Sequence, residues 1–185
     1  CRRMANAVIN TIEEQTNFFF GNKKLENCNS TLQKGLVELK DLEKVSLTQN
    51  QAFPLLVWSV IDLLSRYHSG QLENQGSMVR IKKFLKAYLK HDRRDTQTLL
   101  LFRNAVAHSV SLFAFDASSK REVRFRLTDE GPLVLQETPV RFAINTIELH
   151  ARLYESIEAY HKEVMTSNEL QKRFQKVFKK LGYIQ

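Results

Sequence analysis

Six glycines and three prolines in 185 residues are too few for a turn-rich sandwich or barrel of short strands. Cysteine is also scarce: Cys1 and Cys28 have neither the density of a disulfide framework nor the spacing of a zinc site. With no signal-peptide pattern in the chain, the expectation is a reducing, cytoplasmic setting. The longest apolar run, Phe53 to Leu64, contains Asp62 and is shorter than a bilayer crossing requires, so no membrane partner is expected. The glycines are isolated from one another, which leaves no phosphate-cradling loop. No serine stands in a nucleophile elbow. His68, His91, His108, His150 and His161 never fall at metal-ligand spacing with one another. Neither a metal nor a cofactor is expected.

What remains is a chain with enough apolar residues for a real core, 43%, and a formal charge of +8. The charge is uneven. Residues 53–109 carry nine basic and four acidic side chains, and residues 139–185 carry eight and five, whereas residues 110–138 carry four and five. A basic surface attracts polyanions, nucleic acid above all. It is also the ordinary composition of a solvated basic face.

Apolar spacing predicts helices along most of the chain. Met4, Val8, Ile12 and Phe19 mark one over residues 4–20, stopped at Gly21-Asn22. Ser30 caps a second, to about Val45, with Leu32, Leu36, Leu39 and Leu42 on one face, followed by a polar loop, SLTQNQ. FPLLVWSVIDLLSRYH has Pro54 in its first turn and is apolar nearly all round, which suits a central helix with Trp58 in the core. Asp62 and Arg66 read there as a structural pair. MVRIKKFLKAYLKH is amphipathic, with Ile81, Phe84, Leu85, Tyr88 and Leu89 inside and Arg80, Lys82, Lys83, Lys86 and Lys90 outside. Asp95 is the expected cap of the next helix, which holds LLLFRNAVAHSV.

Beyond that helix the apolar period changes to alternation. SLFAFD, REVRFRL and PLVLQE read as an antiparallel meander with turns at ASSK and TDEG. Val123, Phe125 and Leu127 would face the core, and Arg124 and Arg126 the other side. Thr138-Pro139 is expected to restart helix, to about Met165, with Val140, Ile144, Ile147, Ala151 and Tyr154 inward. Ser167 caps a final basic helix carrying Lys172, Arg173, Lys176, Lys179 and Lys180 and ending at Gly182. The expected whole is a single, mainly α domain over 1–185. N-terminal helices lie within 1–50, a core over 53–165 holds a β insertion at about 110–136, and the basic helix covers 167–182.

The polar residues of the LLLFRNAVAHSV helix need explaining. Asn104 and His108 are one helical turn apart and share a face, and Arg103 is about 100° from Asn104 round the axis. Ala105 and Ala107 would let another helix approach. An arginine beside an imidazole suits metal-free phosphodiester cleavage: histidine can move the proton of a ribose hydroxyl, and arginine can stabilise charge growing on the phosphate. A structural alternative stands beside this: Arg103 pairs with Asp62 in the core, and His108 caps the helix C-terminus.

LLLFRNAVAHS resembles the signature helix of the HEPN superfamily, in which an arginine and a polar residue are followed by a few small or apolar residues and a histidine. The resemblance extends loosely from Phe53 to about Met165, through LLVWSVIDLLSRY, RIKKFLKAYL and the long helix after the motif. It implies a HEPN-type helical bundle that works as a homodimer, here with a short antiparallel β-meander insertion after the motif helix. It implies a metal-independent endoribonuclease or RNA-binding protein of toxin or antiphage-defence type, with an antitoxin or other protein partner. Arg103, Asn104 and His108 would be its catalytic set, meeting their counterparts in a cleft between protomers. Arg124 and Arg126, with Lys82, Lys83 and Lys86, are the expected nucleic-acid contacts. The alternative is a catalytically silent dimeric module that binds a protein partner or a nucleotide.

Overall fold

A computed structural model describes residues 9–26, 28–44, 51–73, 76–109 and 112–182 of the chain. The expectations that rest on Cys1, Met4, Val8, Val45, Val110 and most of SLTQNQ fall outside these residues. Seven helices and four strands are described: α1 (Ile12–Phe20), α2 (Thr31–Glu43), α3 (Ala52–Ser69), α4 (Ser77–Tyr88), α5 (Asp95–His108), β1 (Phe113–Asp116), β2 (Arg121–Thr128), β3 (Val134–Thr138), β4 (Arg141–Asn145), α6 (Thr146–Thr166) and α7 (Asn168–Leu181). None of the described helices is long and apolar enough to cross a membrane.

Local chemistry sets most helix ends. Thr11 with Glu14, and Ser30 with Gln33, form reciprocal capping boxes at the starts of α1 and α2. Gly21 closes α1 at a φ of 92°, in the left-handed region where glycine carries no Cβ penalty. Helix α3 runs through the middle of the core and buries Phe53, Val57, Trp58, Ile61, Leu64 and Tyr67. Phe19 from α1 lies 4.2 Å from Tyr67, ring centre to ring centre, and Phe174 from α7 lies 5.0 Å from the same ring. The N- and C-terminal helices are thereby packed on α3. Cys28 is disulfide-bonded, so the cysteines give no support to a reducing compartment.

Several expectations are corrected. Arg80 does not face solvent on α4: its guanidinium is enclosed and bonded to Asp62, Ser65 and the Glu73 carbonyl. Asp95 does not cap α5 with its side chain. It is the first helical residue, and the cap position is held by Arg94.

The largest correction is to the β insertion. The sheet has four strands in the order β1-β2-β4-β3, and β2 and β4 run parallel. The outer pairs, β1 with β2 and β3 with β4, are antiparallel. Thr138-Pro139 does not restart helix. It leads into a tight turn and β4, and α6 starts at Thr146 with the Asn145 side chain accepting from the Glu148 N–H. The inward stripe of α6 moves accordingly to Leu149, Leu153, Ile157, Tyr160 and Val164, while Ile147, Ala151 and Tyr154 are exposed. One sheet face, with Ala114, Val123, Phe125 and Ile144, joins the core, where Phe125 lies 5.4 Å from Phe102 of α5.

Candidate functional site

Helix α5 enters the core with Leu99, Leu100, Leu101, Phe102 and Ala105 buried and leaves it in its last turn. Arg103 and Asn104 are half-buried, and Ala107 and His108 are exposed. The polar residues therefore cost little desolvation, because they stand where the helix emerges into water. Arg103 donates from Nη1 to the Asn104 Oδ1 at 3.2 Å. It makes no contact with Asp62, whose two oxygens accept from Arg66 and Arg80. The core ion pair with Arg103 is thus replaced by one with Arg80.

Asn104 and His108 line an open groove of about 330 Å³ together with Ser109, Phe113, Ala114 and Phe115. Arg103 is joined to this groove through its bond to Asn104. The imidazole of His108 has no hydrogen-bond partner among the described residues, and neither has the buried hydroxyl of Ser109. A groove of this kind offers an exposed proton-transfer group, an amide held by a guanidinium, and two aromatic rings. Among the described residues no group of three His, Cys, Asp or Glu side chains could hold a metal ion.

The expected nucleic-acid contacts divide into two sets. Lys82, Lys83 and Lys86 are exposed on α4, and Lys82 borders a second concavity that runs between α4 and α5 to Asn104. Arg124 and Arg126 lie on the solvent face of the sheet, where they line a separate concavity with Glu137 and Arg141. Each is already paired, Arg124 Nε with Glu122 Oε1 at 2.9 Å and Arg126 Nε with Glu137 Oε1 at 2.6 Å. Phe113, Phe115, Ser109 and Arg141 are not among the site residues expected from the sequence. Alternation in FAFD could have flagged the two phenylalanines, since a strand of four residues with rings at every second position must present both on one face.

No family model, no curated protein sequence and no solved structure matches the chain. The reading of the site rests on its own residues.

Proposed function

We propose that the chain is a metal-independent endoribonuclease of HEPN type that works as a homodimer in a toxin or antiphage-defence role. The observation that carries this reading is the position of His108, exposed in a groove with no hydrogen-bond partner among the described residues, one turn from an Asn104 held by Arg103. In the reaction His108 takes the proton of a ribose 2′-hydroxyl, and the 2′-oxygen attacks the adjacent phosphorus. Arg103 stabilises the charge that builds on the non-bridging oxygens. The 5′-oxygen leaves with a proton supplied by the second protomer's histidine, which gives a 2′,3′-cyclic phosphate and a free 5′-hydroxyl. Ala105 is buried within the protomer, and the small, exposed side chain of Ala107 is what favours a two-fold contact at this end of the helix.

The test is RNA cleavage by the purified chain with chelator present, read by end-group analysis of the fragments. His108→Ala should lower the rate by about 10²–10⁴-fold. Arg103→Lys keeps the charge but loses the planar fork and should also impair cleavage. Both variants should melt close to the parent and sediment as dimers. A monomer at micromolar concentration removes the composite site. Stable RNA, protein or nucleotide binding without turnover supports the silent dimeric module instead.

A further inference from the structure

The solvent face of the sheet has an unusual composition. Across β1, β2 and β4 the paired residues Phe113, Arg124 and Arg141 form one row on that face. Phe115 stands opposite Glu122 in the next row, and Arg126, Ala143 and Leu135 form a row on the other side. Phe115 is 65% exposed and Phe113 43%, and neither ring packs on another aromatic ring among the described residues. Leaving two phenylalanine rings in water forgoes a burial gain that a core position would have provided. Three arginines beside them make a protein core or lipid tail a poor occupant.

We propose that this face is a binding platform for single-stranded RNA, with bases stacking on Phe113 and Phe115 and phosphates held by Arg124, Arg126 and Arg141. The proposal deepens the ribonuclease reading and rests on it for the identity of the strand as RNA. Aromatic rings interleaved with cations on an open surface are what an unpaired strand needs, since each base has a face to stack and each nucleotide a charge to neutralise. A duplex keeps its bases stacked inside and cannot use the rings.

The two carboxylates on the face do not block this. Glu122 and Glu137 hold Arg124 and Arg126 in exposed pairs, which contribute little in water, so a phosphate can take the carboxylate's place and gain a two-pronged contact. Arg141 has no ion-pair partner among the described residues and offers its fork directly. Phe113 and Phe115 also line the groove of His108 and Asn104, so a strand stacked on the rings passes the imidazole. The Lys82 concavity also reaches Asn104, but neither His108 nor an aromatic ring lines it, which favours the sheet face as the route by which substrate reaches the imidazole.

The experiment is a fluorescence-anisotropy titration of the full chain, in the non-cleaving His108→Ala background with chelator, using labelled 12-nucleotide oligouridylate and a 12-base-pair RNA duplex. Phe113→Ala with Phe115→Ala should weaken oligouridylate binding by at least about thirtyfold, since truncating one stacking ring costs about fivefold or more. Phe115→Tyr, which keeps the ring, should bind like the parent. Arg124→Gln with Arg126→Gln and Arg141→Gln should flatten the salt dependence, because fewer counterions are released. Unchanged affinity in the double phenylalanine variant overturns the proposal, as does equal binding of the duplex. A parent dimer that dissociates on the same two substitutions also overturns it and assigns the face to a second copy of the chain. Cleavage that persists without the rings defeats the platform and leaves the nuclease. Ring-dependent binding by a parent chain that never cuts does the reverse.

Discussion

Arg80 and Asp62, on neighbouring helices, are joined by a hydrogen-bonded ion pair of 2.9 Å in which the arginine side chain is wholly enclosed and the carboxylate keeps 21% of its surface. The guanidinium also donates to Ser65 Oγ at 3.1 Å and to the Glu73 carbonyl at 3.0 Å. The second Asp62 oxygen accepts from Arg66 Nε at 3.1 Å. This network ties α4 and the chain before it to α3, and it accounts for the one acid on an otherwise apolar helix.

The pair is asymmetric, and so are the expected losses. Asp62→Ala leaves the enclosed Arg80 cation without its counter-charge and should cost about 3–5 kcal/mol. Arg80→Met removes the buried charge itself and leaves Asp62 with Arg66 and partial access to water. It should cost less, about 1–3 kcal/mol, chiefly for the unpartnered serine and carbonyl. Urea unfolding of the two variants and the double variant measures both. Equal, small effects would show that the pair contributes nothing to holding the helices together.

The contrast between Arg80 and Arg103 marks what could be read from the chain. Both are arginines on helices with a buried face, and helical spacing predicts Arg80 outside and leaves open a pair between Arg103 and Asp62. A signal for the right partner was present: Arg80 is four residues before Phe84, hence on the buried face of α4. The helices before the sheet, most of their apolar faces and the caps Ser30 and Ser167 are legible because each depends on residues within one or two turns, whereas the inward stripe of α6 is misplaced together with its start. Strand β4 is not legible, because Pro139 after a threonine imitates a helix start, and strand pairing is settled by partners elsewhere in the chain. The local clue is Asn145 three residues before Glu148, a better start signal than Thr138-Pro139. At the site, Arg103, Asn104 and His108 were legible as a pattern. Their exposure was not, since it follows from where α5 leaves the core.

The lysine face of α4 has its own test. Replacing Lys82, Lys83 and Lys86 together with glutamine leaves the core untouched, because all three are exposed. If each touches a phosphate of a single strand, the slope of log affinity against log salt should fall by about 2. Fluorescence anisotropy at several salt concentrations reads this directly. An unchanged slope would return these residues to a solvated surface and leave the sheet face as the sole expected phosphate contact.

Acid should destabilise the fold through its histidines before its carboxylates. Burial holds His68, His150 and His161 below the ordinary histidine value of 6.5. At His68, Arg173 and Lys83 push the same way and Glu163 opposes them. At His150, Glu43 Oε1 lies 2.8 Å from Nε2 and pulls upward, but desolvation outweighs it. A depressed folded value means that the unfolded chain binds more protons once the pH falls below 6.5, so stability is full above that value and is lost on the way down to the folded values. Glu14, held down to about 2 by the Thr11 N–H and Lys23, stays charged throughout this range. The melting temperature should therefore be level from pH 8 to 7 and fall between pH 6.5 and 5, by about 2–4 °C for each kcal/mol lost. His161→Phe keeps a ring against Phe20, now stacked at 4.5 Å, and removes one titrating group, so it should flatten the decline. A melting temperature that stays constant or rises as the pH drops from 6.5 to 5 would show that these imidazoles are not held neutral by the fold.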